Sequence, residues 1–443
     1  MKALTFKQGI HPSYNKELTK DKPLKNAKRP EEVLIPIKQH IGAPLDLLVK
    51  KGDQVDLGQK IADSESFVCA PIHASVSGKV KEIRKVTDPG GNTVDAVVIE
   101  ASAEEDEKLV SNLEKHQNLD NLSPDDIRKI VREAGIVGLG GAMFPSHVKL
   151  AVPEDKNVEY VILNGAECEP YLTVDHRVMV ERPNAIVFGL KALMKAVNAE
   201  KGLIGIEDNK MEAVESMQDA VADETNIEVK LVETKYPQGG EKMLIEALLE
   251  REVPVGGLPL DIEVVVNNTS TAAAVADAIR EGKPLIERSI SITGRGIESP
   301  CNLIFRIGTK LADLVEQAGG LKENAAKVIA GGPMMGAAQK NLDVPAVKGT
   351  SGLLVMLADE VEDFDPDPCI NCAKCVDHCP MYLMPTTLIK YAKNNMVEKL
   401  EEYQILNCIE CGSCSYVCPS KIPLVHYLRL GKSQAMAKRR EEK

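Results

Sequence analysis

Tryptophan is absent from the 443 residues, and aromatic side chains make up only 3 % of them. Stacked-base recognition needs aromatic platforms, and phosphate binding needs a basic face. Neither is on offer, because 54 Lys and Arg stand against 66 Asp and Glu, a formal charge of −12. Nucleic acid is therefore not an expected partner. The opening MKALTFKQGIHPSYNKEL lacks the apolar core of a secretory signal, so no export signal is expected. Long apolar runs are also missing. The stretch Ala185 to Val197 is broken by Gly189, Lys191 and Lys195, and no run reaches the ~18 residues a membrane span needs. The chain is expected to be soluble, or held at a membrane by partners. Its length argues for two to four domains.

Cysteine is abundant, with eleven in the chain. Without an export signal they point to a reducing compartment, where clustered thiols bind metal or do redox chemistry. Eight of them form an internal repeat: Cys369-x-x-Cys372-x-x-Cys375-x-x-x-Cys379-Pro380, then Cys408-x-x-Cys411-x-x-Cys414-x-x-x-Cys418-Pro419. A cubane cluster needs four thiolates at tetrahedral corners. Three cysteines on one curled loop reach three irons, and the fourth ligand comes from the other run. The expected ligand sets are Cys369, Cys372, Cys375 and Cys418 for one [4Fe–4S] cluster, and Cys408, Cys411, Cys414 and Cys379 for the other. CxxC pairs also bind zinc, but zinc sites seldom use this triple spacing with a trailing Cys-Pro. Cys69, Cys168 and Cys301 are isolated and read as buried small hydrophobes.

Four segments separate on pattern. Residues 30 to 100 are strand-like, with turns at Lys51-Gly52-Asp53, Leu57-Gly58-Gln59 and Ser77-Gly78-Lys79. Ala103 to Leu122 is charged and reads as a linker or an exposed helix. From Ser123 to Thr271 helices and strands alternate in the rhythm of a doubly wound sheet. Ser123-Pro124-Asp125-Asp126 is a helix start, and Gly135 is its stop. Strands are expected at Val158–Leu163, Gly202–Ile206 and Ile227–Val232, with a helix over Pro183–Asn198. Arg288 to Pro345 suits a small α+β module, with strands around Gly294 and Phe305, a helix over Thr309–Ala318 and a strand at Lys327–Ile329. The cysteine motifs follow from Pro366, with a helix expected between them over Pro385–Tyr403.

Glycine-rich loops punctuate the second segment. Gly135-Ile-Val-Gly138-Leu-Gly140-Gly141-Ala-Met143-Phe144-Pro145 is not the GxGxxG dinucleotide fingerprint, and alone it could serve only a turn. Asn164-Gly-Ala166-Glu167-Cys168-Glu169-Pro170 follows the C-terminal end of a strand, where open α/β sheets bind ligands. Tyr236-Pro-Gln-Gly239-Gly240-Glu241-Lys242 opens a helix over residues 241–249, whose free N–H groups suit a phosphate. Val266-Asn267-Asn268-Thr269-Ser270-Thr271 carries polar side chains able to read a ring edge, with Thr269 or Ser270 as a helix N-cap.

These motifs, in this order, resemble the NADH- and FMN-binding subunit of respiratory complex I. The whole chain, with its Gly9-Ile-His11-Pro12 opening and doubled cysteine run, more closely resembles the C subunits of Rnf complexes, membrane-bound ferredoxin:NAD⁺ oxidoreductases coupled to ion pumping. The resemblance implies a translocase subunit that exchanges hydride with NAD(H) through non-covalent FMN and single electrons through two [4Fe–4S] clusters. It implies that Gly138, Gly140, Gly141 and Lys149 line FMN, with Lys149 near its phosphate. Asn164, Glu167, Asn267, Asn268 and Thr271 would contact the flavin or its ribityl chain. Phe144, Glu169 and Glu241 would face NAD(H), the two glutamates as the catalytic pair, and no general base is needed. Leu139, Met143, Ala166 and Lys242 depart from the complex I pattern of Arg, Gly, Asp and Glu. The implied partners are the other subunits of a membrane complex, which would deliver ferredoxin-derived electrons and hold the chain on the cytoplasmic face. The rival readings are a cobalamin reductase of a microcompartment and an electron-wire subunit with an empty flavin site.

The N-terminal segment looks like a biotinyl/lipoyl β-sandwich, yet the hairpin that carries a modifiable Lys in such domains reads Asp63-Ser-Glu-Ser-Phe-Val-Cys-Ala70 here, without one. It is read as an unmodified docking scaffold. The fold expected is multidomain α/β: a barrel-sandwich domain over 1–102, a doubly wound FMN/NADH-binding domain over 123–285, a β-grasp domain over 286–350 and a dicluster ferredoxin domain over 360–443.

Overall fold

The computed structural model describes residues 2–103, 107–361 and 365–442. Before any domain forms, the chain runs along two others. Leu4 bridges to Val232 and Ile10 to Tyr236, and β1 (Leu24–Asn26) pairs in parallel with a strand at residues 301–306. The barrel-sandwich follows with β2 (Glu32–Pro36), β3 (Asp46–Leu47), β4 (Gln54–Val55), β5 (Lys60–Asp63), β6 (Ile72–His73), β7 (Gly78–Thr87) and β8 (Thr93–Ala101). Its sheets, β2-β8-β7-β4 and β3-β5-β6, enclose Val33, Ile35, Ile61, Ile72, Val80, Val97 and Ile99. Strand alternation sets this: Val33 and Ile35 face that core, while Leu34 faces the other way, with Val86, Ala96 and Val98. The hairpin tip meets the next domain, where the Phe67 carbonyl lies 3.0 Å from His147 Nε2.

The charged stretch after β8 is a linker without a helix among its described residues; Glu104, Glu105 and Asp106 lie outside them. It is pinned in place, because Glu107 accepts from Arg29 and Arg306 at 3.2 and 3.0 Å, and Val110 N–H bonds to Leu57.

The next domain opens with α1 (Pro124–Glu133). Ser123 and Asp126 form its capping box, and Ile127 and Val131 are its buried stripe. There follow α2 (Ser146–Leu150), β9 (Tyr160–Gly165), α3 (Val174–Glu181), α4 (Pro183–Val197), β10 (Lys201–Glu207), α5 (Met211–Ala220), β11 (Ile227–Val232), α6 (Glu241–Leu249), β12 (Val264–Asn268) and α7 (Thr269–Glu281). The sheet is wholly parallel, in the order β11-β10-β9-β12. Both faces of β9 are buried: Val161 and Leu163 meet the side of α1, α4 and α7, and Ile162 meets the side of α6 with Leu244 and Ile245. Helices α4 and α7 cross so closely that a Cβ at Gly189 would stand 1.9 Å from the Ala272 carbonyl oxygen. Chain order reverses between β9 and β12, which makes their carboxyl ends the switch point of the sheet.

The β-grasp module contains β13 (Glu287–Thr293), β14 (Cys301–Arg306), α8 (Leu311–Gln317), β15 (Ala325–Ala330), β16 (Ala337–Ala338) and β17 (Gly352–Leu357). Its sheet runs β1-β14-β13-β17-β15-β16. The unit therefore reaches past residue 350 and borrows an edge strand from the N-terminus, two features that only long-range pairing reveals.

The cysteine domain holds α9 (Lys374–Asp377), α10 (Pro385–Lys393), α11 (Val397–Glu402), α12 (Ser413–Tyr416) and α13 (Leu424–Glu441). The single helix expected over Pro385–Tyr403 is two, because Asn395 takes a left-handed φ of 51°. The sequence repeat is also a backbone repeat. Asn371 and Glu410, Ala373 and Gly412, and Tyr382 and Lys421 occupy matching motif positions, and all six have positive φ. These left-handed turns curl each loop around its thiols.

Candidate functional site

All four motifs of the α/β domain meet at the switch point. From β9, Asn164 Nδ2 donates to the Gly239 carbonyl at 2.7 Å. From the glycine loop, Leu139 N–H donates to Thr271 Oγ1 at 3.0 Å, and a Cβ on Gly140 would stand 3.1 Å from the Cβ of Asn268. From α2, Lys149 Nζ donates to the Val266 carbonyl at 3.0 Å and to Glu241 Oε1 at 2.7 Å. Gly138 N–H closes the glycine loop on the Phe144 carbonyl at 2.8 Å. The residues read as flavin-binding thus form one surface, although they come from positions 138 to 271.

That surface fits a flat, phosphorylated ligand on three counts. Gly141 has no atom within 4 Å of where a Cβ would stand, so it faces open space. Asn267 is buried, yet its Nδ2 has no partner, and Gln238 is buried with both amide atoms unpartnered. A buried amide without a partner costs about 1–3 kcal/mol, which a ligand's polar ring edge would offset. The start of α6 exposes free N–H groups beside the Lys149 ammonium.

Asn268 has a different duty from the one read in its motif. It, and not Thr269 or Ser270, is the N-cap of α7, accepting from Ser270 and Thr271 N–H at 2.8 and 3.2 Å. Its Nδ2 donates to Asp175 at 2.7 Å.

The glutamates depart further from expectation. Glu167 is held within the chain: its carboxylate accepts from the N–H groups of Asp175 and His176 at 2.7 and 3.2 Å, at the start of α3. Glu169 is held by backbone in the same way. Its two oxygens accept from Met335 and Met334 N–H at 2.8 and 3.1 Å, which ties the β9 loop to the β-grasp module. Burial lifts its carboxyl to about 7. Lys16 Nζ binds the carbonyls of Glu167, Glu169 and Leu172 at 2.8, 3.0 and 2.6 Å, and burial lowers that ammonium to about 8. Of the proposed NAD(H) contacts, Glu241 alone keeps a carboxylate that is not held by backbone N–H groups, and it is paired with Lys149.

The cysteines fall into the two crossed sets. Cys379, Cys408, Cys411 and Cys414 line one cavity, and Cys369, Cys372, Cys375 and Cys418 line another. Among the described residues no three His, Cys, Asp or Glu side chains converge on a single-ion position; each set surrounds a space. The first cage is buried in apolar packing with Leu383, Leu388 and Leu428. Burial pushes the Cys408 thiol up to about 11 and raises Cys379 and Cys411 as well, so metal loading must release these protons. Cys369 and Cys372 of the second cage are exposed.

The buried cage adjoins two of these motifs. Ile409 Cδ1 lies 3.7 Å from the Cβ position of Gly240, and Cys411 shares an apolar cluster with Ile10, Tyr236 and Cys168. Sequence reasoning missed Lys16, Asp175, Gln238 and Arg288. Gln238 lay inside a motif already singled out. Arg288, which donates to the Leu139 carbonyl at 2.8 Å, carried no local signal.

Four family models match the chain. Residues 4–104 match the RnfC barrel sandwich hybrid domain, 131–277 the Nuo51 FMN-binding domain, 289–338 the SLBB domain and 363–419 a 4Fe-4S dicluster domain. Over 437 residues, 99 % of this chain and 98 % of the relative, there is 47 % identity to the C subunit of the Na(+)-translocating ferredoxin:NAD(+) oxidoreductase complex of Acetobacterium woodii. The C subunit of the proton-translocating ferredoxin:NAD(+) oxidoreductase complex of Clostridium ljungdahlii is 48 % identical over 440 residues, 99 % of this chain and 96 % of the relative. The C subunit of the ion-translocating oxidoreductase complex of Haemophilus influenzae is 38 % identical over 436 residues, covering 97 % of this chain and 64 % of its own length.

Proposed function

The chain belongs to the family of C subunits of ion-translocating ferredoxin:NAD(+) oxidoreductase complexes, and from that membership we propose that it is the subunit at which NAD(H) exchanges electrons with the complex. Bound FMN supplies the conversion between two-electron and one-electron chemistry, and two [4Fe–4S] clusters carry single electrons. The observation that carries the reading is the adjacency of the buried cysteine cage to two of the four motifs, the loops at Cys168 and at Tyr236–Gly240, with the other cage open at Cys369 and Cys372.

The chain's own residues divide the work. Lys149 and the start of α6 hold the phosphate, and Gly138, Gly140 and Gly141 let backbone approach the ring. Asn164, Asn267 and Thr271 fix the β9 and β12 ends around it, and Phe144 closes the loop. Glu241 meets the nucleotide. Glu167 and Glu169 act as positioning residues. Among the described residues no helix is long and apolar enough to cross a membrane. We place the chain peripherally on the cytoplasmic face, held by the other subunits, with the exposed cage as the exit toward them.

Anaerobic purification with FMN reconstitution tests the reading. The expected result is about eight irons and eight sulfides per chain, retained FMN and cluster reduction by NADH. Retained clusters with no FMN and no response to NADH would leave an electron-wire subunit instead.

A further inference from the structure

The buried cage and the flavin loops are joined by one hydroxyl. Tyr236, 1 % exposed, donates from its phenolic oxygen to the carbonyl oxygen of Cys411 at 2.7 Å. Tyr236 is held from behind: its N–H donates to the Ile10 carbonyl at 2.9 Å, and its own carbonyl accepts from Ile10 N–H at 2.8 Å. Its ring lies in an apolar cluster with Ile10 and Cys411, flanked by Cys168, Met334, Ile409 and Val417. A hydroxyl in such surroundings is stable only if bonded, and its bond goes to the peptide of a cluster ligand.

The same residue starts the loop that reaches the flavin surface. Three positions on, the Cβ site of Gly239 stands 3.1 Å from Cys168 Sγ and 3.6 Å from Asn164 Nδ2. The cage loop is gripped from the other side too. A Cβ on Gly412 would stand 3.0 Å from the Met334 carbonyl, and Met334 is tied to Glu169. Tyr236 is thus a rigid strut with the flavin loop at one end and the Cys411 peptide at the other.

We propose that Tyr236 is a positioning residue for electron transfer, holding the Cys408–Cys414 loop against the flavin loop and raising the reduction potential of that cluster alone. The potential rises because a hydrogen bond donated to a ligand's peptide draws electron density from the cage, as hydrogen bonds around iron–sulfur sites do. The electrons balance: NADH gives NAD⁺, one proton and two electrons, and the two cages take one electron each. The inference rests on the reading of the site given above.

The test is Tyr236→Phe, which keeps the ring and removes the donor. The potentials of both clusters are measured by chemical redox titration followed by electron paramagnetic resonance, with iron and FMN contents alongside. The expected result is a more negative potential for one cluster, the one left in a Cys418→Ser background, and no change in the other. FMN content and flavin bleaching by NADH should hold, while cluster reduction by NADH slows several-fold. Ile10→Ala, which loosens the same packing but leaves the hydroxyl, should leave both potentials in place. Unchanged potentials in Tyr236→Phe, or an equal shift of both, would overturn the proposal. If Tyr236→Phe loses iron, 3-fluorotyrosine placed at position 236 strengthens the donor and should move the same potential upward; no movement overturns the proposal. Because the titration uses a chemical reductant, a wild type that fails to respond to NADH would count against the functional reading and leave the strut to be judged by its potentials.

Discussion

Lys149 Nζ stands 2.7 Å from Oε1 of Glu241, so an ammonium carried by α2 is paired with the first residue of α6. A phosphate entering the site competes with this carboxylate. Replacing Glu241 by Gln is expected to tighten FMN binding several-fold, and replacing Lys149 by Ala to weaken it. The two side chains are 34 % and 38 % exposed, so the pair contributes only ~0–1 kcal/mol, and both effects should shrink as salt rises. Flavin fluorescence titrations at low and high ionic strength measure this. Indifference to both substitutions would remove Lys149 from the site.

Two glycines should fail in different ways. Gly189→Val drives side-chain atoms into the Ala272 backbone where α4 and α7 cross, and should cost about 1–3 kcal/mol or more of stability. A Cβ at Gly141 meets no atom within 4 Å, but Gly141→Val is strained at its φ of 148°, a cost of about 1–3 kcal/mol. Its larger effect should be on FMN, whose space the side chain fills. Thermal unfolding and flavin retention, measured on both variants, separate the cases. A Gly141 variant that binds FMN like the wild type would move the site elsewhere.

Cys418 lines the cavity of Cys369, Cys372 and Cys375, not that of its sequence neighbours. Cys418→Ser is expected to damage the cluster of the first run and spare the cage of Cys379, Cys408, Cys411 and Cys414. Electron paramagnetic resonance of the two signals decides, and loss of the buried cage's signal alone would reverse the assignment.

Burial lifts the Glu169 carboxyl from its ordinary 4.5 to about 7. Between those values the folded chain keeps a proton that the unfolded chain has released, so stability falls as pH rises through that window. The full change is on the order of 3 kcal/mol. Glu169→Gln should flatten this dependence in urea unfolding from about pH 5 to pH 8. A slope that survives the substitution would assign it to another group.

Local chemistry explains what was legible beforehand. Thiol spacing alone implied two crossed cages, because three cysteines within seven positions cannot close a cube and the fourth corner must come from elsewhere. Apolar runs between capped helices implied a parallel sheet, and the glycine and asparagine motifs at strand ends do meet at its switch point. Those features depend on neighbours in the chain, and the backbone repeat of Asn371 with Glu410 and of Ala373 with Gly412 follows them residue by residue.

The roles of the carboxylates and of Tyr236 were decided by tertiary structure. Glu169 sits in a motif that reads as ligand-facing, yet the N–H groups that claim it come from Met334 and Met335, 165 and 166 residues later. Tyr236 finds its acceptor 175 residues on, and β1 finds its partner strand across most of the chain. A side chain's type states which bonds it can make, and its sequence neighbours state which element it joins. Which donor or acceptor arrives within 3 Å is settled by the packing of whole domains, since a buried polar group takes whatever partner the fold brings to it.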